Sequence, residues 1–145
     1  MPLRFLAKKA SPSRARLHGV ALFANCSERD LRRLEHLGTS LRVGRERQLT
    51  LAGDTGREVI VVLQGCAQCS VDDRQVATLT AGDCFGEVAD LDGGPCAATV
   101  TAVTDMELLV YTRSEFRQLV HRAPVVAFNL LSLLAERLRS AGQPV

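Results

Sequence analysis

The residues Phe85-Gly86-Glu87 have the types and the order to bind an anionic ligand. A glycine at position 86 lets the backbone turn sharply and approach a ligand closely, and Val88 and Ala89 can continue as a short helical turn. Amides at the start of such a turn are unpaired donors in a region of partial positive charge, so they bind anions. Glu87 could accept a hydrogen bond from a sugar hydroxyl. On geometry alone, the alternative is an ordinary tight turn with a solvated glutamate.

The stretch FGEVADLDGGPCAATV, from Phe85 to Val100, resembles the phosphate-binding cassette of the cyclic nucleotide-binding domain family. In that family the cassette reads Phe-Gly-Glu, a few small or apolar residues, a variable loop, and Pro-Arg-Ala-Ala-Thr-Val. The family's arginine pairs with the cyclic phosphate, and Cys96 stands at its position here. The resemblance implies a ligand-binding set made up of Phe85, Gly86, Glu87, Val88, Ala89, Cys96, Ala97 and Ala98.

The resemblance covers most of the chain, from about Leu22 to Arg139. Three further segments carry it in the family's order: LFANCSERDLRRLEHL at 22–37, LAGDTG at 51–56 followed by VIVVLQG at 59–65, and AGDCFGE at 81–87. They are similar to an opening amphipathic helix, a turn with a central strand, and the lead into the cassette. A single Gly-Asp turn is common. Four such fragments in the family's order are strong evidence for the fold and weaker evidence for the ligand.

The charges around the cassette oppose an anionic ligand. No Lys, Arg or His lies between Arg74 and Arg113, while six acids do: Asp83, Glu87, Asp90, Asp92, Asp105 and Glu107. A charge-assisted hydrogen bond contributes about 1.5–3 kcal/mol, so the missing arginine would weaken binding by about one to two decades. Arg137 and Arg139 are the candidates to compensate. Alternatively, both are solvated cations that stabilise the C-terminal end of the helix through its dipole.

Changes of hydrophobic period predict the fold. Ser27 can cap a helix with its apolar stripe at Leu31, Leu34 and Leu37, and Gly38 can end it. From 41 to 111 the apolar runs are short and separated by turn residues, with VIVVL, QVATL, ATVTAV and MELLVY as the clearest strands. Many short strands of this kind predict a β-barrel or jelly roll of about eight strands.

Two further helices are predicted after the strands, so the fold class is α+β: a jelly roll flanked by N-terminal helices and two C-terminal helices. Ser114 can cap the first of the two, and Pro124 suits the first turn of the second, which runs to about Arg139. Between Val125 and Leu138, 10 of 14 residues are apolar. A helix that is apolar nearly all round is covered on more than one side. We therefore expect a homodimer through the 124–139 helix.

The net charge of +2 is unevenly distributed. Residues 1–16 hold five cations and no acid, which leaves about −3 for the rest of the chain and argues against a nucleic-acid surface there. We expect a basic N-terminal tail at 1–16, solvated and partly disordered. An anionic partner for the tail is the alternative. The domain is expected to span 17–141.

The remaining features narrow the class of protein. No apolar run approaches the roughly 18 residues of a membrane span, and no secretory signal is recognisable. The odd count of five cysteines argues against a disulfide framework of the kind found in secreted proteins. We therefore expect a cytoplasmic location. Cys66 and Cys69 have metal-ligand spacing, but residues three apart on a strand face opposite ways. The histidines, His18, His36 and His121, fall in predicted helices, which disfavours an enzyme with a metal bound by barrel histidines.

Two functions remain open on the sequence. The first is a non-enzymatic sensory module that binds a cyclic nucleotide, cAMP or cGMP, weakly or with compensation for Cys96. The second is a degenerate module that binds no nucleotide and acts by dimerising or by docking to an unknown protein partner. The chain ends a few residues beyond the last predicted helix, so no DNA-binding winged helix is expected. No nucleophile–base pair or metal set indicates an enzyme, and no cofactor is expected.

Overall fold

This computed structural model describes residues 8–9, 14–50, 53, 58–86 and 98–140, and these residues form two antiparallel sheets and four α-helices. Within those residues the strands are β1 (Lys8–Lys9), β2 (Thr39–Val43), β3 (Gln48–Thr50), β4 (Glu58–Gln64), β5 (Ala67–Val71), β6 (Arg74–Leu79), β7 (Cys84–Phe85), β8 (Thr99–Ala102) and β9 (Met106–Thr112). One sheet has the order β1-β2-β9-β4-β7 and the other β3-β8-β5-β6. The predicted jelly roll with flanking helices is confirmed.

The strand β4 shows why its sequence is a continuous apolar run. Its side chains alternate between two buried clusters: Val59, Val61 and Leu63 pack with the helices, whereas Ile60 and Val62 pack with residues of both sheets. Successive side chains on a strand point to opposite faces of the sheet. Because both faces of β4 are covered, none of these positions faces solvent, and all of them are apolar. The run VIVVL therefore marks the centre of the fold.

The helices are α1 (Arg14–His18), α2 (Glu28–Leu37), α3 (Arg113–Arg122) and α4 (Pro124–Ser140), with a 3-10 turn at Ala21–Phe23. The cap predicted at Ser27 is confirmed, because its hydroxyl accepts from the Asp30 amide at 3.1 Å and the Asp30 carboxylate accepts from the Ser27 amide at 3.2 Å. Gly38 ends α2, but without the left-handed conformation of a glycine cap. Space explains this glycine instead, since an added Cβ would lie 2.8 Å from the Tyr111 ring.

The cap predicted at Ser114 is wrong. Thr112 caps α3: its hydroxyl accepts from the Glu115 amide at 3.1 Å, and the Glu115 carboxylate accepts from the Thr112 amide at 2.8 Å. Thr-x-x-Glu is a complete capping box, which satisfies two amides, whereas a cap at Ser114 would place Arg117 at the third helical position, and an arginine cannot accept from the cap amide. Pro124 begins α4, as predicted.

The N-terminal residues differ in part from the expected solvated tail. The backbone of Lys8–Lys9 pairs with Arg42 and Leu41 of β2. Arg16 lies in α1 and forms an ion pair with Glu107 of β9, so counting it among solvated cations was wrong. The reason is the neighbouring Leu17, whose burial in the core holds α1 against the sheet. The domain boundary at residue 16 stays a prediction.

The last helix, α4, buries Val126, Asn129 and Leu130 and leaves three large apolar side chains in solvent. Phe128 is 69% exposed, Leu131 67% and Leu138 46%. The excess of apolar residues in this helix therefore appears as an exposed stripe.

No single helix of the described chain has the length and hydropathy to cross a membrane. The helices α3 and α4 reach the required length and hydropathy only together, and the chain bends by 111° at the break between them.

Candidate functional site

The edge strand β7 leads directly into the predicted binding segment. It pairs antiparallel with β4, with Phe85 opposite Ile60 and Cys84 opposite Val61. Gly86 follows with φ +91°, and a Cβ at this position would collide with the carbonyl oxygen of Glu58. A side chain at residue 86 is thus excluded twice, by conformation and by space. The sharp turn expected at Gly86 is present, and its close approach is to the β4 backbone.

The far side of the predicted segment begins at Ala98, just before β8. Its carbonyl accepts a hydrogen bond from Thr50 Oγ1 at 3.1 Å, which ties it to β3. The segment 87–97 thus connects the edge of the five-stranded sheet to the middle of the four-stranded one. Most of the implied ligand contacts fall on this connection and lie outside the described residues: Glu87, Val88, Ala89, Cys96 and Ala97. Their roles stay predictions.

Arg137 reaches from α4 to β7. Its Nη2 donates a hydrogen bond to the Cys84 carbonyl at 2.6 Å and lies 4.0 Å from the Cys84 sulfur. Burial raises the pKa of the Cys84 thiol, and the Arg137 guanidinium opposes that rise. The alternative in which Arg137 is only a solvated helix-end cation is therefore wrong. The structure places this guanidinium on the strand that leads into Gly86, whereas it shows no such contact for Arg139 within the described chain.

The six acids counted around the cassette are not equivalent. The carboxylate of Asp83 accepts from the Thr80 amide at 2.8 Å and closes the turn before β7. Asp105 accepts from the Arg45 amide at 3.0 Å. Glu107 is buried and paired with Arg16 and, at 3.5 Å, with Arg42. The other three, Glu87, Asp90 and Asp92, lie outside the described residues. The repulsion of an anion was therefore overestimated, because Glu107 at least is neutralised by cations distant in sequence.

The other candidate metal ligands, the cysteine pair and the histidines, lie at β5 and on the helices. Cys66 precedes β5 and Cys69 lies within it. No group of three metal-ligating side chains occurs in the part of the chain that the structure describes. The histidines are confirmed in helices, with His18 in α1, His36 in α2 and His121 in α3. His18 Nε2 lies 3.1 Å from Glu28 Oε1, a local contact at the start of α2.

The described residues thus form a jelly roll with an edge strand that leads into a glycine turn, packed against C-terminal helices. A family model, the cyclic nucleotide-binding domain, matches residues 41–123. The match covers more than half of the chain, and the chain belongs to that family.

Similar proteins agree with this assignment. The "Cyclic AMP receptor protein" of Thermus thermophilus is 39% identical over 94 residues, which are 61% of this chain and 44% of that protein. The crystal structure of the Thermus thermophilus catabolite activator protein superposes with a TM-score of 0.78 at 31% identity, covering 84% of this chain and 60% of that one. The regulatory domain of Toxoplasma gondii PKA, crystallised with cAMP, gives 0.64 at 30% identity, covering 72% and 42%. The chain thus spans less than half of the Thermus receptor protein it resembles.

Proposed function

We propose that this chain is a non-enzymatic sensory module that binds a cyclic nucleotide of the cAMP type. Two relatives support the ligand class, since one is named a cyclic AMP receptor protein and another was crystallised with cAMP. In this proposal the nucleotide contacts the segment from Phe85 to Ala98. Binding is weak, because Cys96 stands where the family has its phosphate-pairing arginine.

The observation that carries the proposal is the backbone at Gly86. A positive φ combined with contact against the Glu58 carbonyl leaves no room for any side chain, so this turn requires a glycine. The same turn would present the amides that follow it to a phosphate. In this proposal the pocket keeps the family's shape and lacks one cation, because Cys96 stands at the position of the arginine.

The affinity follows from the donors that remain. Amides alone must hold the phosphate, and without a charge-assisted bond we expect a Kd in the high micromolar range. Two features reduce the loss of favourable electrostatic energy caused by the missing arginine. Glu107 is already neutralised by two arginines. Arg137 adds a guanidinium beside β7, and in this proposal its positive charge partly offsets the missing arginine even while it bonds the Cys84 carbonyl.

Calorimetric titration of the chain with cAMP and cGMP tests the proposal, with 5′-AMP as the matched acyclic control. We expect saturable heat for one cyclic nucleotide and a clearly weaker response for 5′-AMP, which has the same base and sugar. Heats equal for cyclic and acyclic nucleotides, or none up to millimolar concentration, would overturn it. The second candidate function would then stand.

That second function is a module that no longer binds nucleotide and acts by assembling with itself or with a protein partner. The exposed stripe of Phe128, Leu131 and Leu138 on α4 favours it. A helix offers the same stripe to each partner in a two-fold pair, so a second copy is the simplest cover. A homodimer through the 124–139 helix is compatible with both functions, and we propose it for both.

A further inference from the structure

The strand β6 has a free edge in solvent. It pairs with β5 on one side, and within the described residues no strand pairs with its other side. Five of its six residues are exposed. A free edge offers unpaired backbone N–H and C=O groups to another extended chain, and sheets usually protect such edges with Lys, Pro or very short strands. The strand β6 has a bulge and one charged residue, Arg74, but neither Lys nor Pro.

The register identifies the backbone groups that this edge offers. The loop between β5 and β6 has two residues, so the flanking pair Val71–Arg74 is hydrogen-bonded. Bonded and non-bonded pairs alternate, so in the next pair, Ser70–Gln75, the N–H and C=O of Gln75 point away from β5. Thr78 lies three residues further on, and the intervening bulge returns its N–H and C=O to the same edge. Gln75 Nε2 donates to Thr78 Oγ1 at 3.4 Å, so the two side chains also share one face.

Two carboxylates stand at the tip of the β5–β6 hairpin. Asp72 and Asp73 have φ of 52° and 61°, as a type I′ turn requires at both central positions. Both are exposed, and neither makes a hydrogen bond or an ion pair with the described residues. Asparagine or glycine would suit the same turn without a charge. The geometry of the turn therefore does not account for the two negative charges.

The outer face of the four-stranded sheet beside this edge is uncharged. Cross-strand pairs place seven side chains there in two rows: Gln48, Thr101, Gln68 and Thr78, and then Thr99, Ser70 and Gln75. All seven are hydroxyl or amide side chains, whereas alternate residues such as Val100 and Ala102 face the core. Val76, in the bulge of β6, adds an apolar side chain that is 54% exposed. A strand added to β6 would therefore meet neutral groups along its length and charge at the hairpin tip.

We infer that β6 binds an extended segment of a partner protein as a further antiparallel strand, with basic residues at the carboxyl end of that segment beside Asp72 and Asp73. Antiparallel pairing continues the pattern of this sheet and is more stable per residue than parallel pairing. Because β6 starts at the tip with Arg74, an antiparallel strand ends there. Backbone pairing supplies affinity, and the charges fix the direction. A second copy of β6 paired in this way would bring its uncharged Leu79 end to the two aspartates, so charge complementarity favours a different partner.

The probe is a fluorescein-labelled nine-residue peptide of alternating valine and threonine that ends in two lysines, followed by fluorescence anisotropy. One control peptide carries the two lysines at its amino end, and another carries N-methyl groups on the backbone amides that would face β6. We expect saturable binding of the probe, and binding at least 10-fold weaker for the N-methylated peptide, which lacks the donors of the ladder. Moving the lysines should weaken binding about threefold, since exposed ion pairs are weak. Salt at 0.5 M should abolish only the effect of moving the lysines.

Variants of the protein test the same edge. Thr78→Pro removes an N–H that faces solvent, a position at which an edge strand tolerates proline. We expect it to weaken probe binding at least 10-fold, whereas Thr78→Val keeps the N–H and should change binding less than twofold. The double variant Asp72→Asn, Asp73→Asn suits the type I′ turn and removes both charges. It should bind the two lysine placements equally.

Equal binding of the N-methylated peptide, or unchanged binding by folded Thr78→Pro, would overturn the inference, because either result excludes backbone pairing. So would equal binding of the two lysine placements to the wild type at low salt, or no saturable binding up to millimolar concentration. A lower mass of the chain in Val76→Glu, measured by light scattering, would assign the edge to a second copy instead. Circular dichroism checks the fold, and if Thr78→Pro unfolds, the N-methylated peptide decides. The titrations contain no nucleotide, so their outcome is independent of the proposed function.

Discussion

The guanidinium of Arg137 donates a hydrogen bond of 2.6 Å to the carbonyl of Cys84, two residues before the turn at Gly86. The bond joins the last turn of α4 to β7, a two-residue strand at the edge of its sheet. Such a short edge strand has few backbone partners of its own. The position of the C-terminal helix and the entrance to the proposed binding segment are therefore mechanically linked.

Replacing Arg137 by Met should lower the free energy of unfolding by about 1 kcal/mol. The change keeps most of the apolar stem and removes the charged donor, which leaves the Cys84 carbonyl without this partner. Urea denaturation measures the difference. Arg139→Met is the matched control on the same helix turn and should change stability by only a few tenths of a kcal/mol. Equal effects of the two variants would show that the bond to Cys84 contributes nothing.

Gly86→Ala should destabilise the protein by more than 2 kcal/mol. Alanine at φ +91° carries a conformational penalty of about 1 kcal/mol or more, and its Cβ would also collide with the Glu58 carbonyl. Gly53→Ala is the control, because Gly53 has φ +92° and open space around the added Cβ. Gly53→Ala should therefore destabilise the protein only by the conformational penalty of alanine at a positive φ. Thermal unfolding that ranks the two variants equally would contradict the close approach at Gly86.

Arg16→Met should cost about 2 kcal/mol, because it leaves the buried carboxylate of Glu107 with a weaker partner. The side chain of Glu107 is 5% exposed, against 38% for Arg16 and 69% for Arg42. Arg42→Met, at the more exposed end of the cluster, should cost less than 1 kcal/mol. Deleting residues 1–12 retains Arg16 and should lower the melting temperature by no more than a few degrees. If the deletion lowered the melting temperature more than Arg16→Met does, the N-terminal residues would contribute more to stability than the Arg16–Glu107 ion pair, contrary to this prediction.

Phe128→Glu should convert the proposed homodimer to a monomer, measured by light scattering at tens of micromolar. Phe128 is 69% exposed, so the change places a charge in the interface without opening the core. Leu130 is unsuitable for this test, since it belongs to the core cluster. Val76→Glu is the control, an exposed valine on β6. A monomeric wild type, or an unchanged mass in Phe128→Glu, would rule out this interface.

The elements that the sequence predicted correctly are those fixed by local chemistry. The run VIVVL, the cap at Ser27 and the start of α4 at Pro124 each follow from a few adjacent residues. The error at Ser114 had a readable signal, because Thr112 and Glu115 have the spacing of a capping box.

The contacts that the sequence could not supply are long-range. Arg16 and Glu107 are separated by 91 positions, and Arg137 and Cys84 by 53. Such pairs depend on how the helices pack on the sheet, which no local pattern encodes. The same holds for Gly38, where the deciding neighbour is the ring of Tyr111. At the candidate site the sequence indicated the turn at Gly86, and packing supplied its contact with Glu58 and the guanidinium beside β7.

The affinity of Cys96→Arg for cAMP, compared with that of the wild type by calorimetry at low and high salt, tests the central claim most directly. A pocket that keeps its shape and lacks one cation should bind at least 10-fold more tightly once the cation is restored, as one charge-assisted contact provides. The gain should shrink at high salt. Sub-micromolar binding by the wild type would contradict the claimed deficit and would point to Arg137 as its compensation. No gain in Cys96→Arg would contradict the preserved pocket itself.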